Sequence, residues 1–314
     1  RMEESFMIKV VGKLGPDATD LKELRVLNRI LRWAPDGVYY EADPRHAEIL
    51  ARDLIETSGP LVRTAGAKGT KEEEESSEAL TGMEITRFRS GAARANYLSM
   101  DRADLSYATK ELCRRMSAPR QIDWMALVRL IKYLKAEPRL VYKYAWQQGH
   151  GLDVYADTDF AGCLQTRRST SGGCAFRGNH LIKHWSTTQK VVTLSSGEAE
   201  LTGIVKGATE ALGLKSLSAD LGWDVGLKLH ADSSAAIGIC KRSGIGRVRH
   251  LATGQLWVQE RLRNKDFALF KVLGTKNPAD MLTKHVPRET LDTHLAFADL
   301  HREAGRAETA PMTA

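Results

Sequence analysis

What this sequence lacks narrows it first. Its four cysteines, Cys113, Cys163, Cys174 and Cys240, are scattered without a C-x-x-C pair. Neither a structural zinc site nor a disulfide framework is expected, and a reducing compartment is the simpler setting. No run approaches the roughly 18–20 uninterrupted apolar residues that a membrane-spanning helix needs, so no membrane partner is expected. The N-terminus, Arg1-Met-Glu-Glu-Ser, has no apolar signal-peptide core. A chain that opens on arginine reads as a piece of something longer.

What is present is ordinary in bulk. The 314 residues are 42% hydrophobic and 27% charged, enough for about two domains with their own cores. A net charge of +7 and a pI near 9.2 suit a polyanionic partner without proving one.

Residues 1–60 mix short extended runs with a helical pattern after Asp43-Pro44, where His46, Ile49, Leu50, Leu54 and Ile55 recur at helical spacing. Asp36-Gly37 between Trp33 and Val38 is a hairpin signal. Residues 61–83, with several small residues and a glutamate run, read as a flexible acidic linker. Residues 84–148 carry three apolar helical sets punctuated by Pro119 and Pro138. Arg114, Arg115, Arg129, Lys132 and Lys135 give those helices a basic outer face, for which a solvated surface is the simpler explanation than phosphate binding. From residue 149 to 300 the pattern becomes three strands, a long helix, a strand, helices, a strand and a closing helix, an α/β domain with a mixed sheet. Residues 301–314 lack a core pattern and are expected to be a disordered tail.

Within that α/β region four acids draw notice. Side chains alternate along 152–157, so Leu152, Val154 and Ala156 share one face and Asp157 ends the strand. Asp232 ends the strand 227–231 in the same way, and strand ends are where α/β proteins place chemistry. The long helix opens at Ser195-Ser196, good capping residues, and is expected to bury Leu201, Ile204, Ala208, Ala211 and Leu212. Glu200 then borders the apolar stripe, with Glu198 on the polar side. Asp280 follows Asn277, a capping residue, and Pro278, which suits a first helical position. Each acid alone has an ordinary structural reading; Asp280, for instance, suits a helix start through the dipole. The set points elsewhere. Packed carboxylates repel and take up protons unless a cation joins them, and their oxygens suit magnesium. Two such ions about 4 Å apart can orient water and stabilise the leaving oxygen in phosphodiester cleavage. Asp157, Glu200, Asp232 and Asp280 are therefore the candidate catalytic and metal-ligating residues, for two Mg2+ ions with Mn2+ as the alternative. Asp159 is given a helper or solvated role.

The segments Tyr155-Ala-Asp157-Thr-Asp159-Phe-Ala-Gly162, Arg168-Ser-Thr-Ser-Gly-Gly173, Trp185-Ser186, Leu194-Ser-Ser-Gly-Glu-Ala-Glu200, Ala231-Asp-Ser-Ser234 and Ala279-Asp280-Met-Leu-Thr-Lys284 resemble, in this order, the ribonuclease H domains of copia-type retrotransposon Pol polyproteins. The resemblance implies an RNase H-like mixed five-stranded sheet flanked by helices, preceded by a smaller, mainly helical (α+β) region. It implies cleavage of the RNA strand of RNA–DNA hybrids during reverse transcription, with metal-ligand roles on the same four acids. Upstream, Phe88-Arg-Ser-Gly, Asn96-Tyr-Leu-Ser-Met, Arg102-Ala-Asp-Leu-Ser-Tyr107 and Lys132-Tyr-Leu-Lys135 look like the segment joining reverse transcriptase to ribonuclease H. Residues 1–60 are then the end of the polymerase, and 84–148 a thumb- or connection-like segment. The polymerase's Tyr-x-Asp-Asp-like turn is absent, so no DNA synthesis is expected from this chain alone. Lys276 stands in the loop where many cellular relatives carry a histidine that helps product leave.

Hybrid binding is expected to rest on phosphate contacts from Arg167, Arg168, Ser195, Ser196, Ser233, Lys241, Arg242, Arg247 and Arg249, with hybrid told from DNA by groove shape and 2′-hydroxyls. His250 is given a structural role. The expected partners are the hybrid and the upstream reverse transcriptase region of the same polyprotein, in an intracellular setting, cytoplasmic in a virus-like particle or nuclear. A transposase or integrase is disfavoured because Glu200 precedes Asp232 and Asp280. The alternative from another class is a catalytically inactive nucleic-acid-binding remnant.

Overall fold

Pro35-Asp36 turns a hairpin whose strands, Arg29–Ala34 (β2) and Gly37–Glu41 (β3), pair antiparallel as the Asp-Gly signal led one to expect. Glu23–Val26 (β1) adds to β2, Arg139–Ala145 (β4) to β3, and Leu300–Glu303 (β10) to β4. The first sheet is thus antiparallel throughout, in the order β1-β2-β3-β4-β10. The computed structural model describes residue 7 and residues 9–53, 59–149, 151–246 and 253–313. Phe6, Leu54, Ile55, Arg247, Arg249 and His250 lie outside the described residues.

Between β3 and β4 run Arg45–Asp53 (α1), Lys71–Ser76 (α2), Gly82–Ser99 (α3), Ser106–Arg114 (α4) and Gln121–Ala136 (α5). The last is bounded by the two prolines, as expected. Phe88, Ala92 and Leu98 of α3 meet Leu112 of α4 and Leu127, Ile131 and Leu134 of α5 in one buried cluster. The region ahead of the α/β domain therefore holds most of a sheet as well as helices.

The second sheet is built from Leu152–Asp159 (β5), Thr170–Arg177 (β6), His180–Thr188 (β7), Leu227–Ala231 (β8) and Ala268–Lys271 (β9), in the order β7-β6-β5-β8-β9. β5, β6 and β7 are antiparallel neighbours, whereas β8 runs parallel to both β5 and β9. Ser196–Asp220 (α6) covers one face, burying Leu201, Ile204, Ala208 and Ala211 on Val154, Ala156 and Leu229. Ser234–Lys241 (α7) and Thr253–Arg263 (α8) extend that layer. Arg288–Phe297 (α9) lies over the other face, where Leu291 and Leu295 join Phe176 of β6, Leu140 and Tyr142 of β4, and Leu300 in a core shared by both sheets. No helix among the described residues is long and apolar enough to cross a membrane.

Four expectations need correction. The stretch 61–83 is not a free linker. Thr70 and Glu73 form a reciprocal capping box that starts α2, Glu74 pairs with Arg115 at 2.8 Å, and Ala65 and Leu80 are buried. The glutamate run is solvated as its composition suggests, except Glu74, which faces an arginine that only folding brings near. Residues 301–303 complete β10, Arg306 bonds Glu48 at 2.7 Å and Ala310 is buried, so the end of the chain is held. Arg114 and Arg115 are not a solvated face either: Arg114 donates to Glu111 and to the Cys163 sulfur, and Arg115 reaches Glu74 and Asp123. Glu198 is buried, accepting from the Leu194 amide at 3.1 Å and the Ser195 hydroxyl at 3.0 Å, because the third helical position folds back on the cap.

Candidate metal centre

Parallel pairing of β5 with β8 sets the carboxyl ends of both strands side by side. Asp157 lies near the first, within β5 rather than ending it, because pairing with β6 carries the strand on to Asp159, and Asp232 lies just past the second. Ser195 caps α6 by accepting from the Glu198 amide, and the helix then delivers Glu200 within its first turns. Asp157, Glu200 and Asp232 each offer an oxygen, and those three oxygens lie within 4.8 Å of one another.

The fourth acid arrives on the 3₁₀ turn Pro278–Leu282. Asn277 accepts from the Ala279 amide at 3.2 Å and donates to the Ala156 carbonyl at 3.0 Å, so the cap foreseen in the sequence also fastens this turn to β5. Gly172 makes room for it: a Cβ there would stand 2.6 Å from Thr283 Cγ2 and 2.8 Å from the Leu282 carbonyl carbon. Asp280 sits close enough to disfavour the charges of Asp157 and Asp232, but its carboxylate is ion-paired to Lys284 and is not one of the three clustered groups.

The electrostatics are those of crowded, buried carboxyls that the Lys284 ammonium relieves only in part. Burial, then Asp157 and Asp232, push the Glu200 carboxyl up to about 9. Burial lifts Asp157 to about 6 against the stabilising hydroxyl of Thr283, with Asp280 and Asp232 adding to the rise. Asp232 is raised by burial and by Asp280. Burial opposes the charge of Lys284, but Asp280, Asp157 and Asp159 together hold its ammonium above the usual value. Glu200 Oε2 is buried and meets no hydrogen-bond donor. An all-oxygen donor set on three elements, with one oxygen lacking any donor, fits a hard divalent cation.

The remaining expected site residues are dispersed around this cluster. Arg167 and Arg168 are exposed in the β5–β6 loop, and Ser196 is exposed at the start of α6. Ser195 and Ser233 both act as helix caps, Ser233 accepting from the Ala236 amide at 3.2 Å. Lys241 is exposed at the end of α7, and Arg242 donates to the Ile245 carbonyl. Asp159 is near Lys284, Lys68 and Lys110 rather than in the trio. Thr283 and Lys284 were given no role from sequence; the i,i+4 spacing of Asp280 and Lys284 was the available signal for the second.

A mixed sheet in the order β7-β6-β5-β8-β9, with α6 across it and acids at the β5 and β8 ends, defines an RNase H-like α/β domain. No family model matches the sequence. The retrovirus-related Pol polyprotein from transposon RE2 of Arabidopsis thaliana is 28% identical over 282 residues, 88% of this chain and 19% of that protein. The corresponding polyprotein from transposon TNT 1-94 of Nicotiana tabacum is 28% identical over 202 residues, 64% of this chain and 15% of the relative. Among solved structures, RNase H1 of Halobacterium salinarum NRC-1 aligns with a TM-score of 0.32 at 19% identity, over 45% of this chain and 97% of that one. The chain is thus similar to part of retrovirus-related Pol polyproteins from transposons, and spans less than a fifth of the length of these two curated relatives.

Proposed function

We propose that this chain is a magnesium-dependent endonuclease that hydrolyses the RNA strand of RNA–DNA hybrids during retrotransposon reverse transcription. The observation that carries the reading is the convergence of Asp157, Glu200 and Asp232 from β5, α6 and the β8 end, within 4.8 Å and partly or wholly buried. Bound there, two divalent ions, Mg2+ or alternatively Mn2+, would activate the attacking water and stabilise the leaving oxygen. Asp157, Glu200 and Asp232 would hold them. Asp280 would join once its carboxylate leaves Lys284. The exposed Arg167 and Arg168, with Ser195, Ser196, Ser233, Lys241 and Arg242, would meet phosphates, and Arg247 and Arg249 complete that proposed set. Phosphate contacts would position the duplex without reading its sequence, as a hybrid nuclease requires. Residues 1–60 and 84–148 are proposed as the end of the reverse transcriptase and its connection, making that upstream region the natural partner.

The Asp280–Lys284 ion pair favours a second reading, in which the cluster no longer takes up metal and the chain only binds nucleic acid. A hybrid-cleavage assay with MgCl2 separates the two. Cutting that vanishes in Asp157→Asn and Asp232→Asn supports the nuclease. Salt-sensitive binding with no cutting at any Mg2+ or Mn2+ concentration leaves the binding module.

A further inference from the structure

Gln189 lies just past the end of β7 and is turned away from solvent. Its side chain is 5% exposed. Its backbone amide is fixed on the Ser169 carbonyl at 2.8 Å. From that anchor its carboxamide nitrogen donates twice, to Ser171 Oγ on β6 at 2.9 Å and to the Ala199 carbonyl on α6 at 2.9 Å. Thr158 on β5 sends its hydroxyl to the same Ala199 carbonyl at 3.3 Å. One carbonyl in the first turns of α6 is therefore held both from β5 and from the segment just past β7.

The residues involved are the immediate neighbours of the acids. Thr158 follows Asp157, and Ala199 precedes Glu200. The backbone amide of Thr158 also favours the charged form of the Glu200 carboxyl, although burial and the neighbouring acids outweigh it. Gly203, one turn further along α6, clears the contact: a Cβ there would stand 2.4 Å from Thr158 Oγ1. When both carboxyls are ionised, Asp157 and Glu200 disfavour one another, and these hydrogen bonds hold α6 to the end of β5 against that.

The amide is not what fold stability alone would select at this position. Gln189 Oε1 is buried and meets no donor, an unfavourable arrangement that an apolar side chain of similar length would avoid. Its two donated bonds can be supplied by a carboxamide and not by a methionine or a carboxylate.

We infer that Gln189 and Thr158 are positioning residues of the acid cluster, which set the distance between Asp157 and Glu200 by tying α6 to β5 and β6 through the Ala199 carbonyl. The inference rests on the metal-site reading proposed above, and it concerns metal affinity rather than the fold. Ligand geometry must be held to a fraction of an ångström for a cation site to keep its affinity, and loss of such supporting bonds typically weakens metal binding about tenfold or more.

The test is isothermal titration of MgCl2 into the full chain, paired with thermal melts in EDTA. Gln189→Met is expected to melt near the wild-type temperature and Thr158→Val, which takes a donor from a buried carbonyl, slightly below it, yet both are expected to bind Mg2+ about tenfold or more weakly. Thr158→Ser, which keeps the hydroxyl, is expected to bind within about twofold of wild type, an outcome that a purely structural role for Thr158 does not produce. Wild-type affinity in both Gln189→Met and Thr158→Val would overturn the inference while leaving the metal site standing. A wild-type chain that takes up no Mg2+ would instead remove the metal-site reading and this inference with it. Should Gln189→Met fail to fold, the Thr158→Val and Thr158→Ser pair decides alone.

Discussion

Thr283, wholly buried, donates its hydroxyl to Asp157 Oδ2 at 2.5 Å, joining two residues 126 positions apart. Its oxygen also lies 3.1 Å from the Asp280 carbonyl, so one side chain touches the segments of two of the four acids. Thr283→Val keeps the shape and leaves a buried carboxylate without its donor. A stability loss of about 1–3 kcal/mol in urea titrations is expected, with Thr283→Ser close to wild type. Equal midpoints for all three would mean that the bond contributes nothing.

Metal supply gives a second expectation. Carboxylates that repel one another in the metal-free chain are bridged when a divalent ion binds, and binding to the folded state alone raises stability. At about a hundredfold excess over the dissociation constant the gain is about 2.7 kcal/mol. Calorimetric melts in saturating MgCl2 should exceed those in EDTA for the wild type and coincide for Asp157→Asn. Coincident wild-type melts would count against any ion at this cluster.

Acid should loosen the junction between the helical region and the α/β domain. His285 packs edge-on against Tyr107 of α4 with ring centroids 4.7 Å apart, and burial pushes its imidazole down to about 4. The unfolded chain protonates the same ring near 6.5, so between those values only the unfolded state gains the proton. Stability from this group is therefore complete above the unfolded value and is lost as pH falls towards 4. Burial also pushes His184 down to about 4, and it acts in the same window, so the comparison must be with His285→Phe. Urea midpoints at about pH 7 and about pH 4.5 should fall less in that variant than in wild type; an identical fall would clear His285 of the effect.

Glu137, directly before Pro138, joins three arginines from distant segments. Arg288 of α9 approaches at 2.6 Å, Arg63 at 3.2 Å and Arg302 of β10 at 3.5 Å, while Glu137 itself is buried. Arg288 and Arg302 also pair with Asp292 and Arg63 is exposed, so losing Glu137 leaves no arginine wholly uncompensated, and a cost of about 1–3 kcal/mol is expected. Glu137→Ala should lose stability on that scale and speed proteolysis after residue 300. A loss below about 1 kcal/mol would mark the cluster as solvent-screened.

The acids were legible in the sequence because each lies near the end or start of an element whose pattern is local: alternation up to Asp157 and Asp232, a cap before Glu200, Asn277-Pro278 before Asp280. Their arrangement was less so. The sequence makes Asp280 an equal fourth member, yet Lys284 one turn later pairs with it, and spacing alone does not rank a lysine against a metal ion as its partner. Glu198 was misplaced because its position on the helix wheel is polar, while its contacts lie behind the helix start at Leu194 and Ser195. The run 61–83 and the residues after 300 were misread for a common reason. Their order comes from partners such as Arg115, Pro119 and β4, which no local periodicity announces.

β4 receives its second neighbour only from Leu300–Glu303, so the middle of the first sheet keeps an open edge until the final strand has been synthesised. Such an edge offers unpaired amides and carbonyls to any extended segment that arrives earlier, including β10 from another copy. Closing it within one chain demands a contact between remote positions, which forms slowly. Nascent chains halted before residue 300 would accordingly be prone to join edge to edge, and the pairing of Leu300–Glu303 with β4 would end that hazard.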